Sequence, residues 1–188
     1  MARNRNNILA RGFSGMLGDQ FVLRIKNGVT FLANRPTIDP DRSFTEEQLA
    51  RQENFKAAVE YARKSMENPV TKAMYEAAAK DGQSAYNMAL TDAAKGPRLS
   101  RLVTDTYRGQ VGDTLKVRAT DNFRVETVTF AISREDGTVV EAGLAVADEN
   151  GLDWIYTVTQ PNAELPGTII AITAIDIPKN TETLTALL

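Results

Sequence analysis

Leu115-Lys-Val-Arg-Ala119, Val125-Glu-Thr-Val-Thr-Phe-Ala-Ile132, Trp154-Ile-Tyr-Thr-Val158 and Thr168-Ile-Ile-Ala-Ile-Thr-Ala-Ile175 decide the fold of the back half of this chain. In each run apolar residues alternate with polar ones, the period of a strand with one face buried. Asp136-Gly137 and Asn150-Gly151 supply turns between them.

Carried through the C-terminal half, the pattern predicts seven strands: 99–104, 113–119, 125–133, 138–145, 153–159, 168–175 and 181–187. Seven short strands at this spacing imply an immunoglobulin-like β-sandwich over residues 98–188, with Trp154 as the large aromatic between its sheets and no disulfide. Gly96-Pro97 marks its boundary with what precedes.

Ahead of that boundary two further regions are legible. Gln20 to Lys26 and Val29 to Asn34 flank Asn27-Gly28, a pair suited to a type I′ hairpin turn, which sets Lys26 opposite Val29. One face then carries Phe21, Leu23, Ile25 and Leu32; the other carries Val22, Val29, Phe31 and Ala33 beside Arg24 and Lys26. A two-stranded ribbon apolar on both faces is marginal in water. Its faces and open edges call for cover from a second copy of the chain or from the chain's own helices and strands. Gly12, Gly15 and Gly18 lack the flanking strand, helix and Lys of a phosphate loop and read as a tight turn. Asp39-Pro40-Asp41 keeps the chain extended towards a Ser43-x-x-Glu46 capping box. The helix that follows carries Phe55, Val59, Ala62 and Met66 on one stripe, Asn68-Pro69 opens a second helix, and a third runs from Ser84 to about Lys95. The expected fold class is therefore α+β. Residues 1–42 form a basic arm and β-hairpin, 43–97 a three-helix segment, and 98–188 the immunoglobulin-like sandwich.

The 188 residues include no cysteine and no histidine. Thiol nucleophiles, disulfides, Cys/His zinc sites and imidazole-assisted catalysis each lose an essential part. No apolar run approaches the roughly 20 residues of a membrane span, and no secretory signal core follows the polar start, so a cytoplasmic or particle-bound protein is expected, with non-classical release as the route to a surface. Residues 1–42 hold seven Lys/Arg against three Asp/Glu, and residues 98–188 eight against thirteen. A basic front and an acidic back suit head-to-tail association. Arg3, Arg5 and Arg11 lack the aromatic partners of a nucleic-acid arm, and nucleic acid is not expected as a partner.

Two constellations could carry chemistry. Asp121, Asn122, Asp176 and Asn180 fall in loops that the strand count brings to one end of the back half, a candidate calcium site from oxygen ligands. Asp and Asn at strand ends also cap their own turns, and that alternative stands beside it. Glu126, Glu141 and Asp153 could furnish an acid/base pair for glycoside cleavage, but no spacing selects two of them. No cofactor is implied.

The segments Val117-Arg-Ala-Thr-Asp-Asn-Phe-Arg-Val-Glu-Thr-Val128, Val140-Glu-Ala-Gly143, Asp153-Trp-Ile-Tyr-Thr157 and Ile172-Thr-Ala-Ile-Asp176 resemble bacterial immunoglobulin-like modules of surface and virion proteins. The glycine turn, the hairpin, Arg35-Pro36 and the helix start at Gln48 to Phe55 resemble a group of short uncharacterised proteins from Bacteroidota-type genomes, a resemblance that implies no activity. The expected function is non-enzymatic: a self-associating structural subunit of a filament, sheath, or virion or injection-type particle. Its contacts would be Phe21, Val22, Leu23, Ile25, Val29, Phe31 and Leu32, with the arm beside them and other assembly proteins as further partners. The alternative is a glycan- or protein-binding surface module acting through the back-half loops.

Overall fold

The computed structural model describes residues 2–4, 12–26, 28–37, 43–80 and 82–188, in an α+β fold of three helices and three four-stranded sheets. By internal contacts the chain divides into two compact units, Met1–Thr45 and Glu46–Leu188.

The first unit holds β1 (Ala2–Asn4), β2 (Gly15–Leu17), β3 (Phe21–Lys26) and β4 (Val29–Asn34) in the order β1-β4-β3-β2, all antiparallel. Lys26 lies opposite Val29, the register a two-residue loop requires. Asn27 of that loop, Arg5 and Arg11 of the arm, and Asp39-Pro40-Asp41 lie outside the described residues. The bare hairpin is corrected to a four-stranded sheet. Both edges that the sequence leaves open are occupied by short strands of the same chain, and the expected single glycine turn is corrected: Gly12 and Gly18 lie in turns on either side of β2, which Gly15 opens, all three at positive φ (84°, 60° and 132°).

The second unit opens with α1 (Glu46–Glu67), α2 (Pro69–Ala78) and α3 (Ala85–Ala94). The Asn68 side chain accepts from Val70 N at 2.9 Å ahead of Pro69, and Ser84 Oγ accepts from Asn87 N at 3.2 Å, so both later helices start on side-chain caps. Helix α1 begins at Glu46, which leaves Ser43 short of the capping position. It buries Ala58, Ala62 and Ser65, whereas Phe55 is 57% exposed. The buried stripe is thus rotated from the expected one, because small residues let the helices approach closely.

After the helices come β5 (Arg98–Val103), β6 (Thr114–Thr120), β7 (Val125–Ser133), β8 (Val139–Leu144), β9 (Val146–Ala147), β10 (Asp153–Thr157), β11 (Ile169–Asp176) and β12 (Thr181–Leu187). They form two sheets, β5-β6-β10-β9 and β12-β11-β7-β8. The expected seven-stranded immunoglobulin-like sandwich is corrected here. There are eight strands, no strand of one sheet pairs with a strand of the other, and the two sheets are not closed into a sandwich. The chain leaves one sheet at Leu144 and joins the other at Val146, giving the two-residue β9 where the sequence reads a single strand to Ala145.

The inward residues of both sheets meet in one apolar cluster: Leu115, Val117 and Ala119 from β6, Val128, Phe130 and Ile132 from β7, and Ile170, Ile172 and Ala174 from β11. Phe130 stacks on Tyr156 at 5.4 Å and 12°, while Trp154 packs against the cluster only partly buried. On the outer side of β6, Lys116 and Arg118 pair with Asp148 and Asp153.

Candidate functional site

Three elements of the second unit run their inward phase into a carboxylate. In β6, Leu115, Val117 and Ala119 are followed two residues on by Asp121; in β11, Ile170, Ile172 and Ala174 are followed by Asp176. On α3 the buried stripe of Ala85, Met88 and Ala89 continues to Asp92. Asp92 and Asp176 are fully buried, and Asp121 is half-buried.

Their hydrogen bonds tie helices to sheets. The Tyr75 hydroxyl, from α2, donates to Asp92 Oδ2 at 2.7 Å and lies 2.9 Å from the Tyr61 hydroxyl of α1. Asp121 Oδ2 accepts from the N–H groups of Phe123 and Arg124, both at 3.0 Å, and the Phe123 ring packs on Tyr75 at 5.0 Å. Asp176 accepts from Asn180 N at 2.6 Å and from Asn180 Nδ2 at 2.8 Å. The same Asn180 amide reaches the carbonyls of Asp92 and Ala93 at 3.4 and 3.3 Å at the end of α3, where the Asp92 carbonyl also accepts from Lys95 N at 3.2 Å.

Four of the six carboxyl oxygens are thereby satisfied. Asp92 Oδ1 and Asp121 Oδ1 are buried with no donor. Burial pushes the Asp92 carboxyl up to about 7; the Tyr75 hydroxyl works against this, and the charges of Asp121 and Asp176 and the Asp121 carboxyl beside it work with it. Burial also raises Asp176, opposed by the two Asn180 hydrogen bonds. Tyr75 is driven far above the ordinary phenol range by burial and by its Tyr61 and Asp92 partners, so it stays a donor.

Of the sequence-selected residues, Asp121, Asp176 and Asn180 come together here, and Asn122 lines an adjoining polar cleft with Asn54, Lys95, Arg98 and Lys179. Among the described residues no group of three or more acidic side chains is arranged to hold a metal ion. From the sequence, Asp92 has no assigned role, and Tyr75, with Tyr61, Tyr86 and Tyr156, reads either as a sugar-stacking platform or as core; Tyr75 is fully buried. The available signal was position, since Asp92 stands four residues beyond Met88 on an otherwise apolar stripe. The three carboxylates considered for glycoside chemistry sit in separate networks. Glu126 pairs with Lys179, and Asp153 is held by Arg118 at 2.7 and 3.1 Å and by Asn150 at 2.8 Å. Glu141 accepts from the Tyr156 hydroxyl at 2.8 Å and from Thr159 N and Oγ1 at 2.9 and 2.7 Å.

In the first unit, the pairing puts Leu17, Phe21, Leu23, Ile25 and Leu32 on one face and Met16, Val22, Val29, Phe31 and Ala33 on the other. Met16, Leu17, Phe21 and Ile25 are exposed; Val22, Leu23, Val29, Phe31 and Leu32 are half-buried.

Among the described residues no helix is long and apolar enough to cross a membrane. No protein-family model and no curated protein matches the chain. A crystal structure of an engineered protein is similar to it at 17% sequence identity, over 54% of this chain and 25% of that one, with a TM-score of 0.36, so the chain spans about a quarter of that protein's length.

Proposed function

We propose that this protein is a non-enzymatic structural subunit that self-associates through its N-terminal sheet to build a larger assembly. The observation that carries the reading is that no apolar side chain is buried among the described residues of the first unit. Of its residues whose burial is described, Thr30 alone is buried, while Phe13, Met16, Leu17, Phe21 and Ile25 are 36 to 65% exposed. Described apolar side chains that are at best half-buried gain little to offset the entropy of ordering the sheet. Burying each exposed Leu, Ile, Phe or Met against a neighbour adds about 1.5–3 kcal/mol. A second copy presents the same apolar face, so a two-fold, self-complementary contact requires no other partner.

Multi-angle light scattering of the full chain over a range of concentrations tests this. The expected result is a mass that rises with concentration and returns to that of a monomer in the double variant L17K/I25K. A parent chain that stays monomeric throughout refutes the reading.

A further inference from the structure

The two orphaned oxygens, Asp92 Oδ1 and Asp121 Oδ1, are each buried, Tyr75 links the two sites by donating to Asp92 and packing on Phe123 beside Asp121, and the two carboxyl groups act on one another. A buried carboxyl oxygen without a donor is costly, and two together are more so if both groups are ionised. One hydrogen remedies both defects, because a protonated carboxyl donates to the ionised one. We propose that Asp92 and Asp121 share a single proton, and that this proton latches the helices onto the sheet ends, so the junction loosens when it is lost.

The placement of the proton follows from the surroundings. Asp121 Oδ2 receives two backbone N–H groups, an arrangement that suits a carboxylate, whereas Asp92 Oδ2 receives one hydroxyl. Asp92 is therefore the donor and Asp121 the acceptor. The groups acting on Asp92 are Tyr75 from α2, Tyr61 behind it on α1, Asp121 from the loop after β6, and Asp176 from β11. None of these is a cation; the cations of this region, Lys95, Arg98 and Lys179, line the polar cleft on the Asp121 side, which favours the charge on Asp121 rather than on Asp92. The latch joins three layers of the unit: α3 carries Asp92, α2 holds it through Tyr75, and the sheet ends supply Asp121 and the Asn180 amide on the α3 carbonyls.

The composition makes this device unusually easy to isolate. With no histidine and no cysteine, the side chains that commonly titrate between pH 5 and 8 are absent. Asp92 is a group whose folded value is raised. The stabilisation from its protonation is complete below the unfolded value near 4 and is lost as pH rises through the folded value.

The test is urea unfolding of the full chain at pH 5 and pH 8, alongside D92N, whose amide donates to Asp121 at either pH. The unfolding constant of the parent should rise roughly 10- to 100-fold between the two pH values, and that of D92N should stay level. Carbon-13 NMR of the aspartate carboxyls in the parent keeps the question open to refutation if D92N does not fold: one carboxyl should titrate with a midpoint near 7. A parent with no aspartate carboxyl titrating above pH 6, or a D92N variant with the parent's pH dependence, overturns the proposal. So does stabilisation by added calcium at pH 8 that D92N abolishes, for the pair would then be holding a cation.

Discussion

Replacing Tyr75 with phenylalanine removes one oxygen and leaves the ring, so it isolates what that hydroxyl does. The ring keeps its packing on Phe123 at 5.0 Å and its edge contact with Tyr61 at 6.5 Å. The lost atom is the donor to Asp92 Oδ2 at 2.7 Å and the neighbour of the Tyr61 hydroxyl at 2.9 Å. At pH 5, with Asp92 protonated, the loss is that of a hydrogen bond between neutral groups, about 1 kcal/mol. At pH 8 the same hydroxyl serves an ionised carboxylate in the interior, and the loss grows to about 2–3 kcal/mol. The difference of about 1.4 kcal/mol is equivalent to moving the Asp92 midpoint upwards by about one pH unit, since Tyr75 holds that carboxyl down. Urea unfolding of Y75F at the two pH values measures both losses, and Y61F serves as the control because it leaves the Asp92 hydrogen bond in place. Equal destabilisation at pH 5 and pH 8 would refute the coupling of Tyr75 to the charge on Asp92.

The glycines of the second unit give a contrasting pair. A Cβ on Gly109 (φ 75°) would stand 2.2 Å from the Asn162 carbonyl oxygen and 3.0 Å from Leu165 Cδ2, so G109A should lose more than about 2 kcal/mol in urea unfolding. Gly137 has a similar φ of 84° and open space around it, and G137A should lose only about 1 kcal/mol from backbone strain. At the outer face of β6, Arg118 holds the Asp153 carboxyl well below the usual range, with Asn150 and Lys116 assisting. That stabilisation is present above the unfolded value near 4 and lost as pH falls through the folded one. R118A should therefore be less stable than the parent at pH 7 and converge with it in strong acid, as followed by circular dichroism.

Where a local pattern persists long enough to fix its own period, the sequence reveals the element. Strands β6, β7, β11 and β12 each alternate in burial over at least five residues, and Asn68-Pro69 and Ser84 mark two helix starts by cap chemistry alone. Strands β1, β2 and β9 have three, three and two residues, too few to show a period of two, and their existence depends on the partner strand. How eight strands divide between sheets is likewise a matter of long-range pairing. The candidate cluster was legible on its sheet side because loop order places Asp121 and Asp176 at one end. It was illegible on its helix side, where an aspartate in an alanine-rich helix reads as solvated surface unless its phase with Met88 is weighed.

The phase of the three aspartates explains why an apolar solution does not serve at this junction. Helix α3 ends beside the sheet ends, and its last carbonyls need donors; Lys95 N supplies one to Asp92 at 3.2 Å. Asn180 supplies one to Asp92 and Ala93, and Asn54 another to Ala94 at 3.4 Å. Asn180 can hold that pose only if its own backbone and amide groups are fixed, and Asp176 does this with both oxygens. The charge thereby placed in the interior weighs on its neighbours and makes ionisation of Asp92 more costly. Substituting leucine for Asp92 would remove the donor that Asp121 needs and leave Tyr75 with only the Tyr61 hydroxyl as a partner. The requirement to finish a helix against a sheet end thus propagates, one hydrogen bond at a time, into a retained proton.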